Sequence, residues 1–172
     1  MPAAIGIDIG GTRLRAARVA DGVIEARAIA PSSPDPREVL VRVLDLVRQV
    51  RAPEVTAVGI GVPGQVQADT RRVLSGGYVN LSAFDFAAEV EASTGLPVTI
   101  ENDATMALLG EAAHGAAKGR RNVVMLTIGT GIGGAILDGG RILRGAGSAG
   151  QLGHVCVDPN GRQCVCGRPG RV

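Results

Sequence analysis

An apolar run carrying a single carboxylate, Ile5-Gly6-Ile7-Asp8-Ile9, stops at Gly10-Gly11-Thr12 and restarts as Arg13-Leu14-Arg15-Ala16-Ala17-Arg18-Val19. The pattern predicts a buried strand, a tight turn and a returning strand, and sets strands near 4–9, 13–20 and 23–29. A helix from about 36 to 51 comes next. Asp35 stands at its N-cap, Pro36 at its first position and Glu38 in the capping-box place. Val39, Val43, Leu46, Val47 and Val50 recur at helical spacing as its apolar stripe. Val55 to Ile60 reads as a buried strand ending at Gly61-Val62-Pro63-Gly64, and Ala83 to about Thr94 as a short helix with Ser82 as cap and Gly95 as stop. A strand from Val98 to Glu101 leads into a helix over about Ala104 to His114, with His114 before Gly115 as an ordinary C-terminal cap. Apolar runs then predict strands over 123–128, 133–138 and 141–143, the last two joined by the turn Asp138-Gly139-Gly140. Three strands, strand–helix alternation and three strands again form a duplication in outline. The fold class is α/β, with an amino-terminal lobe over 1–117 and the opening of a second lobe over 118–172, linked by Lys118-Gly119-Arg120-Arg121.

Each half opens on a hairpin whose turn is rich in glycine. Gly10 and Gly11 remove Cβ atoms where backbone N–H groups come close to something, and an array of such groups makes an anion-binding concavity. Asp8 sits at the mouth of that turn, where a carboxylate suits a hydrated Mg²⁺. Gly129-Thr130-Gly131-Ile132-Gly133-Gly134 repeats the arrangement after the apolar run Val123 to Ile128. Two such turns suggest a nucleotide held by two lobes. Gly129, Gly131 and Gly134, like Gly59, Gly61 and Gly64, also fit the dinucleotide fingerprint G-x-G-x-x-G, but that fingerprint needs a helix opening straight after the glycines. A hairpin pattern follows Gly134, and a polar stretch without helical periodicity follows Gly64, so the Rossmann reading fails on context.

Composition narrows the class. A chain of 172 residues buries one good core or two small ones, and a hydrophobic content of 45% with mean hydropathy +0.22 excludes disorder. The 26 glycines are about twice the usual share of roughly 7%, and they lie mostly in turns after strands. Net charge is +2, and the only basic run, Lys118-Gly119-Arg120-Arg121, lacks interleaved aromatics, so no nucleic-acid partner is expected. No apolar stretch reaches the roughly 18 residues of a membrane span, and residues 1–4 hold no basic leader, so no membrane partner and a cytoplasmic location are expected. Three cysteines, two of them in Cys164-Val165-Cys166, make no disulfide framework and point to metal or redox chemistry.

Asp8-Ile9-Gly10-Gly11-Thr12, Gly129-Thr130-Gly131-Ile132-Gly133-Gly134, Glu101-Asn102-Asp103-Ala104, Ala149-Gly150-Gln151-Leu152-Gly153-His154 and Cys164-Val165-Cys166-Gly167-Arg168-Pro169-Gly170 follow one another in this order. Together they resemble the ROK family (repressors, open reading frames and sugar kinases), over nearly the whole chain. The resemblance implies the actin-like ATPase (ribonuclease H-like) fold and an ATP-dependent hexokinase of glucokinase type that phosphorylates a hexose at its 6-hydroxyl. Asp8, Gly10, Gly11 and Thr12 would meet ATP and Mg²⁺ together with Gly129, Thr130, Gly131 and Gly133. The match also implies that Asp103 is the catalytic base. From position alone, Asp103 at a strand–helix junction is a base or a cap, and the helix dipole there favours its ionised form. Asn102, Gly64, Gln151 and His154 would bind the sugar with Asp103, and His154, Cys164 and Cys166 would bind structural Zn²⁺.

Three departures from the family pattern bear on function. Gln151 stands where the family has a sugar-binding glutamate, and its amide lacks the charge. Arg171 stands where the last zinc cysteine is expected, leaving three ligands for a site that wants four, with Cys156 a candidate for the fourth. The chain stops at Val172 with only the opening strands of its second lobe, so a truncated and inactive piece is expected, and a homodimer at full length. Two alternatives stand beside the kinase. One is a sugar-responsive transcriptional regulator, against which Met1 to Ala4 leaves no helix-turn-helix before the first phosphate motif; the other is a catalytically inactive sugar-binding fragment.

Overall fold

Aliphatic residues at every second position make a strand, β1, of Ala3–Ile9: Ala3, Ile5, Ile7 and Ile9 are buried, while Ala4, Gly6 and Asp8 point to the other face. β2 (Arg13–Ala20) returns antiparallel to it and β3 (Val23–Pro31) antiparallel to β2. The computed structural model describes residues 2–76, 78–129, 131–164 and 166–171, and these form two compact units, Met1–Met106 and Ala107–Val172.

In the first unit, helix α1 (Pro36–Val50) starts as its sequence directs, with Asp35 Oδ1 accepting the Arg37 N–H at 2.8 Å. Its expected stripe is buried, and Leu40 joins it. The capping box does not form. Ser33 Oγ, two residues back, accepts the Asp35 N–H at 3.1 Å, and Glu38 turns instead to Arg42 one helical turn on, at 3.0 Å. Strand β4 (Val55–Val62) runs parallel to β1 and two residues past the expected end, because β7 (Val98–Asn102) pairs Gly61 with Glu101 and Val62 with Asn102. The polar stretch after Gly64 forms a small hairpin, β5 (Gln65–Gln67) with β6 (Arg72–Ser75), which periodicity did not reveal. Helix α2 (Phe86–Thr94) begins later than expected and is capped by Asp85, not Ser82; Asp85 Oδ1 accepts the Ala88 N–H at 3.0 Å. Leu81–Ala83 is a separate 3-10 turn, and Phe84 between the two is extended. Residues five apart lie about 140° apart on one helix, so the break lets Leu81 and Phe86 both enter the core. Gly95 ends α2 in the left-handed conformation, as expected.

The resulting sheet has the order β3-β2-β1-β4-β7, an antiparallel hairpin pair joined to three parallel strands. It is the mixed α/β sheet expected of the actin-like fold. α1 and α2 pack on it around one core of Ile5, Leu14, Leu46, Ile60, Phe86 and Ile100. Helix α3 (Asp103–His114) follows β7 without a connecting loop.

The second unit contains β8 (Val123–Ile128), β9 (Ile132–Asp138) and β10 (Arg141–Ile142) in the antiparallel order β10-β9-β8. The Asp138-Gly139-Gly140 turn is as expected, with both glycines at positive φ. The rest is irregular: a 3-10 turn over Leu152–His154 and two isolated bridges, Cys156 with Arg171 and Gln163 with Pro169. No helix among the described residues is long and apolar enough to cross a membrane.

Candidate active site

The carboxyl ends of parallel strands are where open α/β sheets bind ligands, and β1, β4 and β7 all end near the candidate residues of the first unit. Asp8, half-buried near the end of β1, receives a 2.7 Å ion pair from Arg15, its direct partner on β2. In the turn that follows, the Gly10 N–H donates to the Arg13 carbonyl at 3.0 Å and the Thr12 carbonyl accepts from Ser32 at 2.9 Å. Among the described residues the N–H groups of Gly11 and Thr12 have no backbone acceptor, and these are the donors available to an anion. The glycines have an internal reason as well: a Cβ on Gly10 would stand 2.9 Å from the Arg13 carbonyl oxygen, and one on Gly11 2.8 Å from the ring of Tyr78.

Asn102 is the N-cap of α3. Its Oδ1 accepts the Thr105 N–H at 3.1 Å, and its Nδ2 donates to the Gly64 carbonyl at 3.0 Å, tying the end of β7 to the turn after β4. Gly64 has φ +95° and a Cβ there would run into the Ser75 carbonyl oxygen, so only glycine serves. Gly61 lies against the start of α3: a Cβ there would stand 3.4 Å from Asp103 Cα, at the limit of ordinary contact.

Asp103 Oδ1 accepts its neighbour's Ala104 N–H at 2.8 Å. Although the residue as a whole is exposed, partial removal of the carboxyl from water raises its pKa above the ordinary 3.8, and the Asp8 charge adds to the rise. The Ala104 N–H and the Asn102 side chain act in the opposite direction and are outweighed. The helix terminus favours the ionised form as expected, through the Ala104 N–H, but desolvation sets the direction of the shift. A carboxylate with raised proton affinity is better matched to taking a proton from a hydroxyl.

In the second unit, the Gly129 N–H donates to the Gly131 carbonyl at 2.9 Å, closing the turn between β8 and β9; Thr130 lies outside the described residues. Among the described residues a Cβ on Gly129 or Gly131 would meet nothing within 4 Å, so none of them requires glycine there. Gly133 pairs with Thr127 in the β8–β9 ladder. Gly134 and Gly150 lie against each other, each 2.8 Å from the other's carbonyl oxygen by the same measure, and Gly153 lies against Ile132. These contacts hold the segment carrying Gln151 and His154 on β9, beside the turn. The His154 N–H donates to the Gln151 carbonyl at 3.0 Å.

One ligand atom each from His154, Cys164 and Cys166 lies within 4.8 Å of the other two, with Cys164 Sγ 3.9 Å from His154 Nδ1. Tetrahedral zinc with bonds of about 2.0–2.3 Å needs ligand separations of roughly 3.3–3.8 Å, so a small contraction would fit the metal. The Arg168 backbone, the Cys164 side chain and the Arg171 guanidinium pull the exposed Cys166 thiol below its ordinary pKa, towards the thiolate that binds metal. Cys156 stands outside this group, its Sγ 3.9 Å from the Pro169 carbonyl, paired across a bridge with Arg171. An arginine stays protonated and offers no ligand atom, so among the described residues the group has three protein ligands.

Arg15 and Tyr78 were not among the residues the sequence singled out, and Gly61 was named only in the turn after β4 and in the dinucleotide fingerprint that context rejected. Arg15 had a signal: a turn centred between Gly11 and Thr12 puts Asp8 opposite it. Tyr78 had none, since its contact with Gly11 depends on the hairpin that periodicity did not show.

A family model described as "ROK family" matches residues 4–172. A glucokinase of Streptomyces coelicolor is 38% identical over 169 residues, 96% of this chain and 53% of that protein. The crystal structure of a ROK family glucokinase from Streptomyces griseus in complex with glucose and AMPPNP superposes with a TM-score of 0.91 at 35% identity, over 98% of this chain and 55% of that one. A ROK family transcriptional regulator, a homologue of the E. coli MLC protein, superposes at 0.85 with 29% identity, over 98% of this chain and 45% of that one. The chain spans about half the length of the curated relatives it matches. Motifs, sheet order and relatives agree: the chain belongs to the ROK family.

Proposed function

We propose that this chain is the amino-terminal portion of an ATP-dependent hexose kinase of glucokinase type, which phosphorylates a glucose-like sugar at its 6-hydroxyl. The observation that carries the reading is Asp103, a carboxyl of raised proton affinity at the start of α3, with Asn102 and Gly64 tied together beside it and Asp8 close enough to act on its charge. In this reading 1–117 is the first lobe and 118–172 the opening of the second. Asp103 takes the proton from the sugar hydroxyl as it attacks the γ-phosphate. The second N–H of the Asn102 amide, the Gly64 backbone, Gln151 and His154 orient the sugar. The N–H groups of Gly11 and Thr12, which have no backbone acceptor among the described residues, and the turn carrying Gly129, Thr130, Gly131 and Gly133, receive phosphate oxygens. Asp8 would hold Mg²⁺, which supplies charge neutralisation on the phosphates when bound. His154, Cys164 and Cys166 would hold Zn²⁺ in a structural role.

The experiment is coupled ADP release across a sugar panel, with this chain joined to the carboxy-terminal half of the Streptomyces coelicolor relative. Glucose turnover is expected, and Asp103→Asn should lower kcat by about 10²–10⁴-fold while glucose still binds. A variant keeping more than about a third of the parent turnover removes Asp103 as the base. The likeness to a regulator supports a second reading, sugar-responsive DNA binding, and a mobility shift with this chain and its flanking genomic DNA tests it directly.

A further inference from the structure

Arg15 and Asp8 are register partners in the β1–β2 ladder, and Arg15 Nη1 donates to Asp8 Oδ2 at 2.7 Å. Partners of this kind emerge on the same face of a sheet, so the contact needs no distortion. Two features set the pair apart from one that merely holds strands together. First, the side chains are 57% and 48% exposed, and so open an ion pair adds little to stability and is readily exchanged. Second, it stands just before the turn whose Gly11 and Thr12 N–H groups are unengaged among the described residues. Two residues of strand separate Arg15 from Arg13 at the turn, about 6.6 Å, within the reach of an arginine side chain.

Asp8 also acts on Asp103: its charge contributes to the raised proton affinity of that carboxyl. A cation held beside Asp8 therefore also bears on Asp103. Resting on the reading of Asp8 as the cation-side carboxylate, we propose that Arg15 is its resting counter-ion. Arg15 neutralises Asp8 while the phosphate turn is empty, yields it to an arriving divalent cation, and passes its guanidinium to an oxygen of the phosphate chain which that cation brings. The guanidinium fork matches carboxylate and phosphate alike, so Arg15 is paired in both states. It is a positioning residue, acting on the site through Asp8.

The test uses the 172-residue chain with Mn²⁺ alone and Mn²⁺ with inorganic tripolyphosphate, probes that need no adenine pocket. Affinity is read by titration calorimetry, and location by paramagnetic broadening of the NMR resonances of residues 7–15 and 102–104. Arg15→Gln should tighten Mn²⁺ alone by about threefold to fivefold, because a competing charge at contact distance is gone. It should weaken Mn²⁺–tripolyphosphate by about tenfold, because a charge-assisted hydrogen bond is lost. Arg15→Lys should restore Mn²⁺ affinity to the parent value and recover only part of the tripolyphosphate affinity, while both variants melt with the parent. A purely structural Arg15 would lower the melting temperature and leave the two affinities moving together. Unchanged Mn²⁺ affinity in Arg15→Gln, with Asp8→Asn still abolishing binding, overturns the exchange and leaves Asp8 as the cation site. Mn²⁺ binding that survives Asp8→Asn overturns both.

Discussion

A carboxyl that is partly withdrawn from water and faces a second carboxylate weakens the fold that holds it. The folded state binds a proton on Asp103 more tightly than the unfolded chain does, because desolvation first and Asp8 second raise its pKa. Stability contributed at this site is therefore greatest below the unfolded value near 3.8, and is lost as pH rises through the higher folded value. Asp103→Asn removes the ionisation and keeps an oxygen acceptor for Ala104. It should be more stable than the parent at pH 7, with the difference shrinking as pH falls through the raised folded value and gone below the ordinary value near 3.8. Urea midpoints at a series of pH values measure this, and a difference independent of pH would contradict it. The cysteines give a second residue-level prediction. Zinc measured by elemental analysis on protein purified without chelator should be nearly stoichiometric, lost in Cys164→Ser and kept in Cys156→Ser, because Cys156 stands apart from the three ligand atoms. Loss of metal in Cys156→Ser, or none in the parent, would refute that ligand set.

At the scale of elements, α2 separates what the sequence displays from what packing decides. Ser82 stands where the cap was expected, yet it is Asp85 that accepts from the helix, at Ala88. Asp85→Ala should destabilise the chain by about 0.5–2 kcal/mol, and Ser82→Ala by much less, in denaturant unfolding. Equal effects would return the helix start to residue 83. The strands of the first sheet and α1 were legible because each shows its periodicity or its caps within its own segment, as Ile5, Ile7 and Ile9 or Val39, Val43 and Leu46 do. The β5–β6 hairpin, the late start of α2 and the Ser33 contact were not, because long-range packing and competing hydrogen bonds set them. The site divides the same way. Asp8, Gly64, Asn102 and Asp103 stand at strand ends that the pattern locates, and family motifs mark them. The direction of the Asp103 shift needed the fold, since Asp8 is 95 positions away in sequence and near it only across β1, β4 and β7.

At the scale of the whole molecule, strand β8 presents an apolar surface without a visible cover among the described residues. Val124, Leu126 and Ile128 alternate along β8 and are 65%, 56% and 82% exposed. β8 is also the edge of its sheet, and its six residues, Val123-Val124-Met125-Leu126-Thr127-Ile128, carry no charge. An uncharged edge strand with an open apolar face is the feature that draws chains together. The 172-residue chain alone should therefore self-associate, and Leu126→Lys, a charge at the centre of that face, should shift it towards monomer. Val41 on α1 is 63% exposed but is not on that strand, so Val41→Lys should leave association as it is. Light scattering on the eluate of a sizing column, with circular dichroism to confirm that the variants are folded, reads the outcome. A parent that elutes as a clean monomer, or two lysine variants with equal effects, would show that β8 does not drive association.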